Sequence, residues 1–320
     1  MIQCVAVRAG KLQPFAVDAL ASVLADPEAR VWIDMDDAGS EGFDALAPAL
    51  HFHPLAIEDC VHDVNHPKVD SFGDYIYIAV HSARWDDGDP QPVLRELDML
   101  LSQRYLITYH EGATRSVTEA HRTLPIRPEL LAKGPDALVY FMLDVMVDNY
   151  LPIIDSIQEH IDGLEERCFR DPGQRVLAEI LRLKRGMAAL RRIVGPQRDV
   201  ILSLSRTEFA AIRPETRPYL RDVHDRMVRT GDLLDSFRDE LAGLLDISAT
   251  QVSNRLNEVM RVLTAFSVII LPVTLVTSLY GMNFQFMPEL HWRYGYAWAL
   301  LLMAAVGFGM YVWMRQRRWL

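Results

Sequence analysis

Residues 262–320 read VLTAFSVIILPVTLVTSLYGMNFQFMPELHWRYGYAWALLLMAAVGFGMYVWMRQRRWL, and this stretch decides the fold. From Val262 to Pro288, and again from Tyr294 to Met314, there is no Asp, Glu, Lys, Arg or His. A helix crossing about 30 Å of hydrocarbon needs roughly 20 apolar residues at 1.5 Å each, and both runs supply them. Two uncharged runs of this length, back to back, are hard to enclose in the core of a chain of 320 residues. They predict a membrane hairpin. Arg255 and Arg261 precede the first run and Arg315, Arg317 and Arg318 follow the second, whereas the connecting segment holds only Arg293. Positive-inside bias predicts both termini in the cytoplasm, with a short loop near Met287 to Trp292 on the far side. Trp292, Tyr294, Tyr296 and Trp298 at one border, and Tyr311, Trp313 and Trp319 at the other, fit interfacial aromatic belts. Two helices per chain cannot enclose an aqueous path, so passage of a solute through them demands an oligomer.

Outward from the hairpin, the character of the chain changes. Its net charge is −10, and of its 33 basic and 43 acidic residues only Glu289, Arg293, Arg315, Arg317 and Arg318 lie beyond Arg261. A region this acidic repels nucleic-acid phosphates and attracts cations, besides staying soluble. Cys4, Cys60 and Cys168 are odd in number and form no C-x-x-C pair, which argues against a disulfide framework or a zinc knuckle. The opening MIQCVAVRAGKLQPF lacks the basic stretch and apolar run of a secretory signal, so the N-terminal part is expected to stay in the cytosol.

Residues 1–134 read as an α/β sandwich. Tyr75 to His81, Glu96 to Leu101 and Tyr105 to Tyr109 are short, β-branched or aromatic, and bounded by turn residues, with Ser102-Gln103-Arg104 as a hairpin connection. From Pro135 apolar positions recur at three and four residues, in Leu138 to Phe169 and Val176 to Leu204, which predicts a helical hairpin over 135–217 broken at Asp171-Pro172-Gly173. The turn-rich Arg213 to Pro218 ends it. No proline stands between Pro218 and Pro272, so one helix is expected over 218–280, on the order of 90 Å long, with the first span at about 262–280. Gly231 and Gly243 oppose it, each costing about 1 kcal/mol relative to Ala. An outer loop (281–293), a second span (294–314) and a basic tail (315–320) complete the expected α+β membrane protein.

Tyr280-Gly281-Met282-Asn283 at the end of the first run is followed by Met287-Pro288-Glu289-Leu290, the final run and a basic tail. In this arrangement the sequence resembles the CorA family of divalent-cation channels. The resemblance extends to Ile57-Glu58-Asp59, Pro67-Lys68-Val69, Arg221-Asp222-Val223, Ser253-Asn254, Asn257-Glu258-Val259-Met260 and the ending Arg317-Arg318-Trp319-Leu320. It implies a homopentameric funnel in the cell (inner) membrane. The first span of each subunit lines the pore and the Gly281, Met282, Asn283 turn forms the selectivity ring at its outer mouth. It also implies passage of Mg2+, with Co2+ or Ni2+ as further ions, and no cofactor. Mg2+ dehydrates reluctantly, so a filter that leaves its waters in place needs neutral oxygens, which Asn283 and the Gly281 carbonyl supply.

The residues matching the family's pore positions are Asp246, Asn257, Met260, Leu263, Leu271, Thr274 and Ser278. At about 100° per residue they fall within an arc of roughly 120° on one helix. Asn257 and Thr274 can hydrogen-bond a hydrated ion, while Met260, Leu263 and Leu271 can form apolar constrictions that close by excluding water. Pro272 removes one helix hydrogen bond and permits a kink.

The resemblance further implies a gate that responds to cytosolic Mg2+ held between subunits, with Glu58, Asp59, Asp144 and Asp222 at the matching acidic positions. Facing carboxylates repel unless a divalent ion bridges them, which gives negative feedback: high internal Mg2+ keeps the ring shut. His62 and His66, four apart and near Asp59 and Asp63, have the spacing of a transition-metal site on a helix, with His51 and His53 as further donors. Because Glu58 and Asp59 already match family positions and no cysteine joins the cluster, helix-surface histidines near an acidic region are the better reading. One departure is Gln285, where many relatives carry an acidic residue; Glu289 remains in the outer loop.

No G-x-x-x-x-G-K-[ST] loop is present, and none is needed, because a divalent ion entering a negative interior gains roughly 4.6 kcal/mol per 100 mV. No nucleophile, base and orienter can be assembled, which argues against an enzyme. Two alternatives remain open from the residues alone. One is the related zinc-transporting branch, against which Met282 and the intact Met287-Pro288-Glu289-Leu290 argue. The other is a membrane-anchored cation sensor that conducts nothing.

Overall fold

The computed structural model describes residues 1–62, 66–86, 89–170, 173–283 and 287–317. In chain order the elements are β1 (Ile2–Arg8), β2 (Lys11–Pro14), α1 (Leu20–Leu24), β3 (Arg30–Asp36), α2 (Gly39–Leu46), α3 (Pro54–Val61), β4 (Lys68–Ser71), β5 (Ile76–Asp86), β6 (Asp89–Leu101) and β7 (Tyr105–His110). Helices follow: α4 (Arg115–Thr123), α5 (Glu129–Ala132), α6 (Pro135–Asp148), α7 (Tyr150–Arg170), α8 (Gln174–Arg206), α9 (Arg217–Tyr280) and α10 (Gly295–Gln316). By their contacts they form two units, residues 1–167 with 174–244, and residues 168–173 with 245–320.

In the first unit the strands form one sheet in the order β2-β1-β3-β7-β6-β5-β4. Only β3 and β7 run parallel, with Val31 opposite Tyr105 and Asp36 opposite His110. The strands expected at residues 75–81, 96–101 and 105–109 are β5, β6 and β7, and the β6–β7 connection is the tight Ser102-Gln103-Arg104 turn. Both faces of the sheet are covered, because β3, β5 and β7 carry apolar residues at successive positions rather than alternate ones. One face buries Val31, Ile33, Tyr77, Ala79, Ile107 and Tyr109 against Leu20, Phe43, Leu46, Ala56 and Cys60 from α1 to α3. On the other side α6 buries Leu138, Val139, Met142, Leu143 and Met146, and α8 is clamped to β5 by polar groups. The Gln197 Oε1 accepts from the His81 amide at 2.8 Å, and the Tyr150 hydroxyl donates to the His81 carbonyl at 3.1 Å.

Two expectations need correction. The helix expected over Leu138 to Phe169 is two helices, α6 and α7, which meet at Asn149, where the amide bonds both Val145 and Met146 carbonyls as the turn tightens. His62 and His66 do not share a helix face, since α3 ends at Val61 and His62 is its extended C-cap residue. His53 is the N-cap instead, its Nδ1 accepting from the Leu55 amide at 3.2 Å. No group of metal-ligating side chains is found among the described residues; Asp63 and the Asp171-Pro172 break lie outside them.

α9 is the single long helix expected, 64 residues unbroken by Gly231 or Gly243. By length and composition three segments could cross a membrane: residues 135–170, α9 and α10. In the first, half of the most apolar window is buried in protein, against 6% in α9 and 11% in α10. Residues 135–170 thus spend their apolar side chains on the protein core.

Composition did not reveal a buried polar network on the β3–β7 pair. The Thr108 hydroxyl accepts from Trp32 Nε1 at 3.1 Å and donates to Asp34 Oδ1 at 2.5 Å. His110 Nε2 meets Asp34 Oδ1 at 3.2 Å, and His121 Nε2 meets Asp34 Oδ2 at 2.7 Å. Burial alone would raise the Asp34 pKa, but the bonds from His110, His121 and Thr108 together carry it well below the ordinary carboxylate range. Burial likewise opposes charge on His110, and the bond and charge of Asp34 outweigh it, leaving its pKa raised. The signs follow from linkage. Asp34 contributes stability above its unfolded pKa of about 4, lost as pH falls through the folded value; His110 contributes below about 6.5, lost as pH rises through its folded value. In thermal melts of the full chain, the stability difference between wild type and Asp34→Asn should be greatest at about pH 4 to 6.5 and shrink on both sides. A difference independent of pH would contradict the ion pair.

Candidate functional site

In the second unit, α9 presents a continuous exposed row. Asp246, Asn257, Met260, Leu263, Leu271, Thr274 and Ser278 are all exposed, Leu271 to 71%. The opposite side of the same helix, at about 100° per residue, carries the more buried Ala265, Pro272, Val273 and Val276. There α10 packs, for a Cβ placed on Gly307 would lie 3.6 Å from Val273 Cγ2. From Leu271 to Ser278 the row is thus the side of α9 that α10 leaves open, while from Val252 to Leu263 every side of the helix is exposed. Water is a poor solvent for Leu263, Phe266, Ile270, Leu271 and Leu275 together, so this surface requires lipid or other copies of the chain.

Three hydroxyls on this stretch of helix are already committed as donors. Thr274 Oγ1 donates to the Ile270 carbonyl at 2.9 Å, as Thr264 does to Met260 at 2.7 Å and Ser267 to Leu263 at 2.9 Å. Each hydroxyl proton points back into the helix, and the oxygen lone pairs remain for an outside donor. The water shell of a cation is such a donor.

α9 closes immediately before the tripeptide. The Gly281 amide bonds the Thr277 and Ser278 carbonyls at 3.0 and 3.2 Å, and the Met282 amide bonds Leu279 at 3.3 Å. A Cβ on Gly281 would stand 3.3 Å from the Thr277 carbonyl oxygen, tighter than an ordinary contact, so the closing turn favours glycine. Met282 and Asn283 follow, both exposed. A short 3-10 turn spans Pro288–His291; Gln285 and the side chain of Glu289 lie outside what is described.

The four acidic positions of the sequence separate into two sets within the first unit. Glu58 and Asp59 stand on α3, where Asp59 Oδ2 accepts from Lys68 Nζ at 2.6 Å and Asp70 lies 3.4 Å from the same ammonium. Burial works against that ammonium, but the bonds and charges of Asp59 and Asp70 raise its pKa. Asp144 of α6 and Asp222 of α9 are brought together, and Asp148 joins them, all three around the Arg226 guanidinium. Arg226 Nε lies 3.4 Å from Asp222 Oδ2, and both Asp144 and Asp148 accept from its terminal nitrogens. Sequence reasoning missed Asp148 and Arg226. The signal was available as spacing, since Asp144 and Asp148, and Asp222 and Arg226, are each four apart on a helix. Three carboxylates against one guanidinium leave an excess of negative charge here, although the three do not converge as a metal-ligand group in the single chain.

A family model described as CorA-like Mg2+ transporter protein matches residues 28–317. Over 288 residues the chain is 32% identical to YfjQ, a putative metal ion transporter of Bacillus subtilis, covering 90% of this chain and 89% of that one. Over 269 residues it is 33% identical to the cobalt/magnesium transport protein CorA of Thermotoga maritima, covering 84% and 77%. The complete structure of the CorA magnesium transporter of Methanocaldococcus jannaschii matches with a TM-score of 0.87 at 18% identity, covering 100% of this chain and 99% of that one.

The three carboxylates around Arg226 yield a test. Arg226→Gln should lower thermal stability in chelator by about 1 kcal/mol, because these groups are only partly buried, and millimolar Mg2+ should restore more stability to the variant than it adds to wild type. Equal Mg2+ responses in the two proteins would show that the cluster does not take the ion.

Proposed function

The chain belongs to the CorA family of divalent-cation transporters, and from that membership we propose that it is a homopentameric Mg2+ influx channel whose filter is the ring of Gly281, Met282 and Asn283. Co2+ and Ni2+ are further candidate ions. The observation that carries this reading is the exposed row on α9, alternating neutral polar and apolar side chains, that runs directly into the tripeptide. Five copies of that row around an axis give a lumen with neutral acceptors at Asn257, Thr274, Ser278 and Asn283. Apolar rings stand at Met260, Leu263 and Leu271. A hydrated divalent ion is coordinated through its waters by such acceptors and is not held so tightly that it cannot leave. The apolar rings shut the path by losing their water.

In this reading α9 and α10 each span the bilayer once, both termini face the cytoplasm, and the acidic first unit lies on that side. The membrane potential supplies the driving force, at roughly 4.6 kcal/mol per 100 mV for two charges. Cytosolic Mg2+ acts as the regulator. It binds at the carboxylates of Asp144 and Asp222, with Glu58 and Asp59 as the second acidic set, and its bridging between subunits holds the ring closed. Loss of the ion restores repulsion between them and frees the pore helices.

Protein reconstituted in vesicles with a negative-inside potassium diffusion potential and an enclosed Mg2+ indicator provides the assay. Asn283→Ala should reduce Mg2+ influx by about tenfold or more while the particle mass stays that of a pentamer, since one neutral acceptor per subunit is lost at the narrowest place. Influx at the wild-type rate would remove Asn283 from the filter. Asp222→Lys should move the Mg2+ concentration that inhibits influx by about tenfold and leave maximal influx within about twofold. An unchanged inhibition curve would dissociate Asp222 from regulation.

A further inference from the structure

At the foot of the sheet, where β3 and β7 begin, the first unit contains a cavity of about 770 Å3. Its walls come from the start of β3, the β6–β7 turn, the α5–α6 turn and the segment joining α8 to α9. Five cations line it, Arg30, Arg104, Lys133, Arg213 and Arg217, against two carboxylates, Asp136 and Glu208. Asp136 is committed, accepting from the Arg213 amide and Nε at 3.1 and 2.9 Å and from the Thr216 hydroxyl at 2.5 Å. Glu208 stands 3.7 Å from Arg217 Nη1. Arg30 and Arg104 bond only backbone carbonyls, of Pro27 and Ala29 and of Leu24 and Asp26. Among the described residues Lys133 forms no salt bridge, its charge being felt only at a distance by Glu129. Two guanidinium nitrogens, Arg104 Nε and Arg217 Nε, are buried without an acceptor. In a chain of net charge −10, a cleft wall with three excess positive charges runs against the overall charge.

We propose that this cavity binds a nucleoside polyphosphate. Guanidinium groups match phosphate oxygens in pairs, and an exposed ammonium adds a mobile point charge, so several arginines with one lysine suit a run of phosphates better than a single carboxylate. The volume falls in the range of small-molecule sites and far exceeds what one inorganic phosphate fills. Half-buried Phe209 lines the same space, and an aromatic side chain there suits the stacking of a base. The inference does not rest on conduction, because binding is read on the purified chain whether or not it passes ions.

The test is calorimetric titration of the full-length protein in detergent, in Mg2+-free buffer with chelator, so that ATP cannot act by withdrawing Mg2+ from the carboxylates. ATP should bind at millimolar affinity or tighter, adenosine not at all, and tripolyphosphate at least about tenfold more weakly than ATP. Lys133→Glu should weaken ATP by about tenfold with unchanged melting, since this side chain is exposed and unpaired. Phe209→Ala should weaken ATP and leave tripolyphosphate as it was. Should Lys133→Glu disturb folding, Lys133→Gln gives the same reading with a smaller loss. The proposal is overturned by absence of ATP binding up to about 10 mM, by tripolyphosphate binding as tightly as ATP, or by ATP affinity unaffected in the folded lysine variant.

Discussion

An unpaired backbone amide or carbonyl in hydrocarbon costs several kcal/mol, and the rest of the molecule is arranged around avoiding that cost. α9 meets it by continuing as one helix through Gly231, Gly243 and Pro272 to Tyr280, with Pro272 leaving out a single backbone bond. The hydroxyls of Thr264, Ser267 and Thr274 obey the same rule, donating to carbonyls one turn back. At Thr264, Ser267 and Thr274 the helix thus presents acceptor lone pairs outward, while the Asn257 amide offers both donors and an acceptor. In the proposed channel these acceptors, with the Asp246 carboxylate, would suit a cation's waters, which donate outward, better than an anion's, which accept.

The same helix ties two kinds of chemistry to one element. Asp222 and Arg226 stand near its start, in the first unit, and Asn257 to Ser278 lie along its later course in the second. In the proposed channel, cation binding at the three carboxylates around Arg226 would act on the element that also carries the pore row, a 64-residue helix. The partial burial of Asp144 matters here, because a carboxylate that is half desolvated feels a neighbouring charge more strongly than one on the open surface.

Local pattern made much of this legible. β5 to β7 were readable because their aromatic and β-branched runs are bounded by turn residues, and α9 because no proline interrupts 219–271. What stayed hidden depends on partners distant in sequence. Asp34 meets His110 and His121 across 76 and 87 residues, and Asp144 meets Arg226 across 82, separations that no periodicity carries. The break at Asn149 is a case of another kind. Leu138 to Phe169 keeps its helical period through the break, and packing decides it, since Tyr150 is buried with its hydroxyl on the His81 carbonyl and so sets where α7 begins. His62 and His66 show the reverse error, a helical spacing without a helix, because α3 stops at Val61.

Charge distribution joins these observations. An acidic chain that must attract divalent cations would also exclude polyanions from its surface, unless some place reverses the sign locally. The cavity between the starts of β3 and β7 and the α8–α9 segment does so with arginines held by backbone carbonyls, not by carboxylates, which leaves their charge uncancelled. Asp136, 3% exposed, neutralises only Arg213, and in doing so anchors the segment leading into α9 through Thr216. Negative groups near Arg226 and positive groups near Arg217 therefore flank the first turns of one helix. Ligands of opposite sign at the two places would act on the same segment, and by linkage each would alter the affinity of the other to whatever extent that segment moves.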